Sequence, residues 1–192
     1  MVEPADAKEL IEEAIEKTEK ADRAERLIET KFRNRVSVLV GLFAVLLAVI
    51  HVEAAGSQRE SILKTVKASD TFTYMEAKII REEIAKTSAQ NASITPATRA
   101  DLLKEAVRLR DPDKAGHGIT QLQKQADELR DEGERSAKMG EWYELAETAM
   151  QVAIVLLSIA LVARSGLIVA GAGSLAAVGV TIAALTAAGL LG

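Results

Sequence analysis

The chain has 192 residues, with 24 Lys and Arg against 28 Asp and Glu, and a net charge of -4. It has no cysteine, which excludes a disulfide framework, Cys-based zinc or iron–sulfur sites and thiol catalysis. Closely mixed charge signs and an aromatic content of 3% speak against a nucleic-acid surface, which needs a basic excess on one side and rings to stack on bases.

The charge is unevenly spread: residues 1–35 and 53–144 hold nearly all of it, and three apolar runs hold almost none. Residues 5–31 are rich in Ala, Glu, Lys, Leu and Ile and contain no Pro or Gly, which predicts a charged helix. Leu10, Ile11, Ala14, Ile15 and Ala21 give it a weak apolar stripe. With no breaker before Gly41, this helix is expected to approach or join the next element, behind a basic collar of Lys31, Arg33 and Arg35. Residues 36–52 are apolar around the whole helical circumference, which favours a membrane span over the core helix of a soluble protein. The thirty-five mostly polar residues before it do not resemble a cleavable secretory signal, so the run is expected to persist as an anchor.

Residues 53–89 read as a further helix, with Ile62, Val66, Thr73, Ala77, Ile80 and Ile84 close to one face. Residues 91–96 break it. Ser93 or Thr95 can cap the following helix, and Pro96 suits its first turn. A short amphipathic helix over 97–110 is expected next, then a loop built on Asp111-Pro112-Asp113 and Gly116-His117-Gly118. From Ile119 the steps alternate between three and four through Leu122, Ala126, Leu129, Gly133 and Ser136, a coiled-coil-like seam with small later members. This helix is expected to run past Trp142 and Tyr143, residues that favour a membrane–water boundary, into a second span over 145–163. After Arg164-Ser165-Gly166, residues 167–191 form a run of twenty-five without an ionisable side chain, the third span. About 20 apolar residues suffice to cross a hydrocarbon core of about 30 Å.

Basic residues predict the orientation. Lys17, Lys20, Arg23, Arg26, Lys31, Arg33 and Arg35 lie on the amino side of the first span, against Arg59, Lys64 and Lys67 on the other. A cytoplasmic amino terminus and a periplasmic segment 53–144 follow from the positive-inside rule. The second span alone points the other way, with Arg130, Arg135 and Lys138 against Arg164. Loops longer than about 60 residues cross largely regardless of charge, so the first span decides.

Glu147 is the foremost candidate for chemistry, at the head of the second span and one helical turn from Tyr143 and from Gln151. It could bind a cation, relay a proton or pair with a neighbouring helix, or it could simply reach for water at the boundary. His51, next but one to Glu53, ends the first span on the same side, where a His beside a carboxylate can titrate near neutral pH or sit idle. Two histidines and no cysteine leave too few ligands for a transition-metal site, and no cofactor is expected. Asp70, Phe72, Tyr74 and Lys78 form a polar and aromatic stripe that offers either a docking surface or local pairing within a helical hairpin. Glu12-Glu13 and Glu82-Glu83 are adjacent, so neither pair shares a helix face as a catalytic dyad. Ala172 and Ala176, and Gly179, Ala183 and Ala187, recur every four residues, a spacing that lets helices approach closely in lipid.

Two stretches resemble an uncharacterised bacterial membrane family, domain of unknown function 4337. In Asp70-Thr-Phe-Thr-Tyr-Met-Glu-Ala-Lys78, residues Asp70, Tyr74, Ala77 and Lys78 match the family's Asp-x-Trp-x-Tyr-x-Gln-Ala-Lys signature, while Phe72 replaces Trp and Glu76 replaces Gln. Residues 143–155 are similar to the start of that family's final hairpin, with Glu147 and Gln151 at matching positions. The resemblance implies one early span, a helical extramembrane segment and two closely spaced spans, and no activity.

The sequence thus predicts an all-α protein with three transmembrane helices and an extramembrane helical hairpin. Its parts are a charged helix (1–35), a first span (36–52), the extramembrane module (53–144) and a membrane hairpin (145–192). The expected role is that of a non-enzymatic assembly or accessory protein of a bacterial inner membrane. Its expected partners are lipid and either further copies or another membrane protein, met through the third span and the seam from Ile119 to Ser136. The alternative is a small oligomeric conduit for an ion or solute, lined by Glu147, Gln151 and His51.

Overall fold

In a computed structural model, residues 4–112 and 115–191 are described, with side chains from Glu16 onward except Ala21 and Ala24. The side chains of the apolar stripe Leu10, Ile11, Ala14, Ile15 and Ala21, and residue Asp113 of the second loop, therefore lie outside the described residues. Every regular element among the described residues is a helix: α1 (Pro4–Ala89), α2 (Pro96–Arg110), α3 (Ile119–Ala163) and α4 (Gly166–Ala187). Three of the four, α1, α3 and α4, contain a stretch long and apolar enough to cross a membrane.

The helix ends follow local chemistry. Thr95 caps α2: its hydroxyl accepts the backbone N–H of Thr98 at 3.2 Å, and Pro96 opens the first turn, where its missing N–H costs nothing. At the start of α3 the Gln121 side chain accepts the Gly118 N–H at 3.1 Å, half of a capping box. α3 ends at Ala163 because Arg164 turns left-handed, with φ of 52°, and the Ser165 N–H reaches back to the Ala160 carbonyl at 3.3 Å. α4 stops at Ala187, short of the apolar run's end at residue 191. Gly189, with φ of 69°, lets its own N–H bond Thr186 at 2.9 Å and the Leu190 N–H bond Leu185 at 3.0 Å, the two bonds of a Schellman ending.

The chain forms two compact units. The first gathers the residues up to His51 and Leu145–Ala184. Val36, Phe43 and Ile50 recur every seven residues on the buried face of α1, and Ala146, Met150, Ala153, Leu157 and Ala160 form the buried face of α3. From α4 come Ala172 and Ala176, both buried, and Gly179, where an added Cβ would lie 3.0 Å from the Ala146 carbonyl oxygen. Away from these seams the same helices expose Val38, Leu42, Val45, Val49, Val155, Ile159, Val162 and Leu167.

The second unit takes Val52–Glu144 and the residues after Ala184. Within it the outgoing part of α1 and the incoming part of α3 run antiparallel, as Gln58 bonding Glu144, Lys64 bonding Glu132 and Lys78 bonding the loop at His117 require. Their contact is made of small residues. Gly133 of α3 is so close to α1 that a Cβ there would be 3.4 Å from the Ser61 carbonyl oxygen, and Gly140 would meet Gln58 at 3.5 Å. α2 buries Ala106 and Leu109 in the same unit.

The apolar face of α1 through Ile62, Val66, Ile80 and Ile84 does not pack inside the unit; these four side chains are 63, 52, 59 and 60% exposed. The buried face carries Ala54, Ala68, Glu82, Ala85 and Ala89 instead. Two helices can approach as closely as the Gly133 contact demands only where both present short side chains, so size rather than hydrophobicity chooses the face.

Candidate functional site

The residues singled out on the first and second apolar runs come together. His51 of α1 and Glu147 of α3 belong to the first unit, and the His51 Nδ1 lies 3.2 Å from both carboxylate oxygens of Glu147. Gln151, one turn further along α3, donates from Nε2 to the Glu147 Oε1 at 3.0 Å. Glu147 is the sheltered member, with its side chain 19% exposed against 67% for His51. A carboxylate accepting from an amide and facing an imidazole can hold a cation or pass a proton to the exposed ring, whose second nitrogen remains for another partner.

The docking stripe divides. Lys78 donates to the His117 carbonyl oxygen, and its ammonium sits 5.6 Å from the centre of the Tyr74 ring, which meets the His117 ring edge-on at 5.9 Å. Tyr74 and Lys78 thus clamp the loop between α2 and α3, which is the local-pairing reading of that stripe. Phe72 is half-buried and Asp70 stays exposed. Of the small-residue stripe on α4, Ala172, Ala176 and Gly179 face inward, Ala183 is half-buried and Ala187 is exposed, while Thr186 takes the buried place beside it. A four-residue step advances about 400° around a helix, so a strict stripe drifts off the contact and a step of three must restore it. This face is occupied by the chain's own α3, with Ala149 and Met150 both 3.3 Å from a Cβ added at Gly179. The seam through Ile119, Leu122, Ala126, Gly133 and Ser136 is likewise buried, and Leu129 half-buried, within the second unit.

Three ionic arrangements gave no signal in the sequence, because each joins residues far apart in the chain. Glu82, with its side chain only 4% exposed, takes a two-pronged contact from Arg110 at 2.9 and 3.1 Å and an ion pair from Lys86 at 2.6 Å. Those bonds, Arg110 first, hold its carboxyl below the usual carboxylate range against the opposing effect of burial. Lys64 bridges Glu132 and Glu60, and its ammonium is held above its ordinary value chiefly by Glu132. In the first unit Arg164 reaches Glu29 at 2.5 Å. Among the described residues no cluster of His, Asp and Glu has the grouping needed to hold a metal ion.

The family model described as Domain of unknown function (DUF4337) matches residues 32–191. No curated protein and no solved structure matches the chain. The matched region takes in both the Tyr74–Lys78 clamp and the His51–Glu147–Gln151 cluster, and the chain belongs to the DUF4337 family.

Proposed function

We propose that this protein is a multi-pass component of a bacterial inner membrane that acts by assembly rather than by catalysis, as a scaffold or auxiliary subunit for other membrane-embedded chains. The observation that carries the membrane reading is the outward face of the three apolar helices. Val38, Val45, Val49, Val162 and Leu167 each leave more than half of their surface uncovered by protein, and lipid is the solvent that accepts such a surface. In this reading residues 36–52, 145–163 and the body of α4 cross the bilayer. The basic residues before Val36 keep the amino terminus in the cytoplasm, and 53–144 stands in the periplasm as a coiled-coil-like module.

The assembly reading is supported by how the ordered side chains are spent. Within each unit they fill closely fitted helix seams, and in the second they tie a loop in place, which leaves each unit an ordered surface to present to a partner chain. Crosslinking in native membranes followed by purification tests it: specific adducts or co-purifying membrane proteins are expected, and a strictly monomeric, partnerless protein contradicts it.

A second reading is favoured by one observation, the hydrogen-bonded His51–Glu147–Gln151 group. In it an oligomer forms a small conduit for an ion or solute past these residues. Purified protein in liposomes then shows a flux that Glu147→Gln reduces, and an unchanged flux rejects that role.

A further inference from the structure

The first unit carries two cations on α1 that nothing in the chain neutralises. Lys31 and Arg35 are exposed, and neither makes a hydrogen bond or ion pair among the described residues. The carboxylate of Glu29, close by in the chain, is already taken by Arg164. Lys31 and Arg35 are one helical turn apart, a spacing at which like charges repel and weaken a helix unless an anion lies between them. From there Val38, Leu42, Val45 and Val49 continue along α1 at steps of three and four, so the two cations head one narrow apolar line. More than half of each of these four side chains is uncovered. A shallow groove lined by Asn34, Arg35, Val38 and Leu39 opens where the charged and apolar parts meet. Along α1, Lys31 and Arg35 stand about 30 and 24 Å before His51, at 1.5 Å per residue. With His51 at one edge of a hydrocarbon core about 30 Å thick, they reach the opposite edge, where the lipid phosphates begin. The long stem of each side chain lets its charge rise to that level.

We propose that this face holds one diacyl phospholipid with a net-negative headgroup. Its phosphate lies between Lys31 and Arg35, with the Asn34 amide as a further donor, and one acyl chain runs along Val38, Leu42, Val45 and Val49. The proposal rests on the membrane reading above and adds to it the charge of the lipid that is held. A cationic head above an apolar line is the complement of an anionic amphiphile. A zwitterionic headgroup fits less well, because it brings its own ammonium against the second cation. A partner helix also fits less well, since it would have to carry a carboxylate to the edge of the lipid, a cost that a phosphate already at that depth does not incur.

The absence of cysteine gives each labelled variant a single thiol. Leu42→Cys lies on the line, and Val155→Cys lies on the bare face of α3 at a matching distance from the His51–Glu147 pair. Each carries an apolar fluorophore in the full-length protein, reconstituted in phosphatidylcholine vesicles. Brominated-chain phosphatidylglycerol or brominated-chain phosphatidylcholine is then added as quencher at equal mole fraction. At position 42 the anionic lipid is expected to quench as if about fivefold enriched over the zwitterionic one, the order expected of a basic residue at the lipid surface. At position 155 the two are expected to quench alike. Replacing Lys31 and Arg35 together by Gln removes the preference at position 42, and Lys31→Arg keeps it. Equal quenching by both lipids at position 42, an equal preference at position 155, or a preference that survives the double replacement overturns the proposal. Quenching at 155 but by neither lipid at 42 means that a protein covers the line, and overturns lipid as its occupant. Quenching at neither position brings down the proposal together with the membrane reading.

Discussion

Adding one methyl group at Gly118 or at Gly140 separates two kinds of glycine, and the expected effects have opposite signs. At Gly118 a Cβ would lie 2.6 Å from the Asp111 carbonyl oxygen and 3.0 Å from both the Asp111 carbonyl carbon and the Pro112 Cα. All three are backbone atoms, so no rotamer change clears the space and the 111–118 loop must move away from the head of α3. Overpacking of this kind costs about 1–3 kcal/mol. Alanine is also a poor residue at a helix cap, which adds a few tenths to about 1 kcal/mol. At Gly140 the nearest atom is the flexible Gln58 Cγ at 3.5 Å, an ordinary contact. Alanine there relieves the helix-interior penalty of glycine and stabilises by roughly 1 kcal/mol. For a unit of this size each kcal/mol moves Tm by about 4–8 °C. Thermal melts of the purified full-length protein, followed through its single tryptophan, Trp142, should show Gly140→Ala melting several degrees above the parent and Gly118→Ala at least as far below it. A destabilising Gly140→Ala, or a neutral Gly118→Ala, would refute the claim that α1 and α3 meet at ordinary van der Waals distance there while the loop is sealed by backbone contact.

Glu82 sets an acid limit on the second unit. A carboxyl held below its ordinary value of 4.5 stabilises fully above that pH and loses its contribution as pH falls through the lower folded value. Tm should therefore be flat from neutral pH down to about 5 and fall below it; Glu82→Gln should flatten the fall in part, since Glu105 and Glu132 are also held low by Arg108 and Lys64. Lys78→Met removes the bond to the His117 carbonyl and should cost about 1 kcal/mol. Faster tryptic cleavage after Arg110 with unchanged helix content is the expected signature, and an unchanged cleavage rate argues against the clamp. Arg164 holds a left-handed backbone at a cost of roughly 1–2 kcal/mol, while its exposed pair with Glu29 returns at most about 1 kcal/mol. Arg164→Gly should thus melt within a few degrees of the parent, and Arg164→Val should melt well below it; the reverse order would contradict the turn geometry.

The helices, their breaks and the Thr95 cap were legible because they depend on local chemistry: Pro96 at a first turn, glycines flanking His117, apolar runs without breakers. The choice of packing face on α1 was not. Ile62, Val66, Ile80 and Ile84 are among the most hydrophobic residues of 53–89, yet they point outward, because Gly133 on α3 selects the small-residue face and that selection appears only when both helices are in view. The small residues of α4 were read at a strict four-residue period, whereas the contact follows Ala172, Ala176 and Gly179 and leaves Ala187 outside. The end of α4 was placed late because an apolar run carries no sign of where the Gly189 turn closes. The meeting of His51 and Glu147 was foreseeable only as a shared level at the ends of two spans. The buried Glu82–Arg110 pair joins residues twenty-eight apart with no pattern to link them.

The claim on which the rest depends is that Val38, Val45, Val162, Leu167 and their neighbours face lipid, and extraction of membranes at alkaline pH tests it most directly. In carbonate at about pH 11, peripheral proteins lose the ionic contacts that hold them, while a spanning helix stays because its backbone and apolar side chains cannot be moved into water without large cost. The full-length chain is predicted to stay in the membrane pellet and to enter solution only with detergent. Its quantitative appearance in the carbonate supernatant would contradict the account.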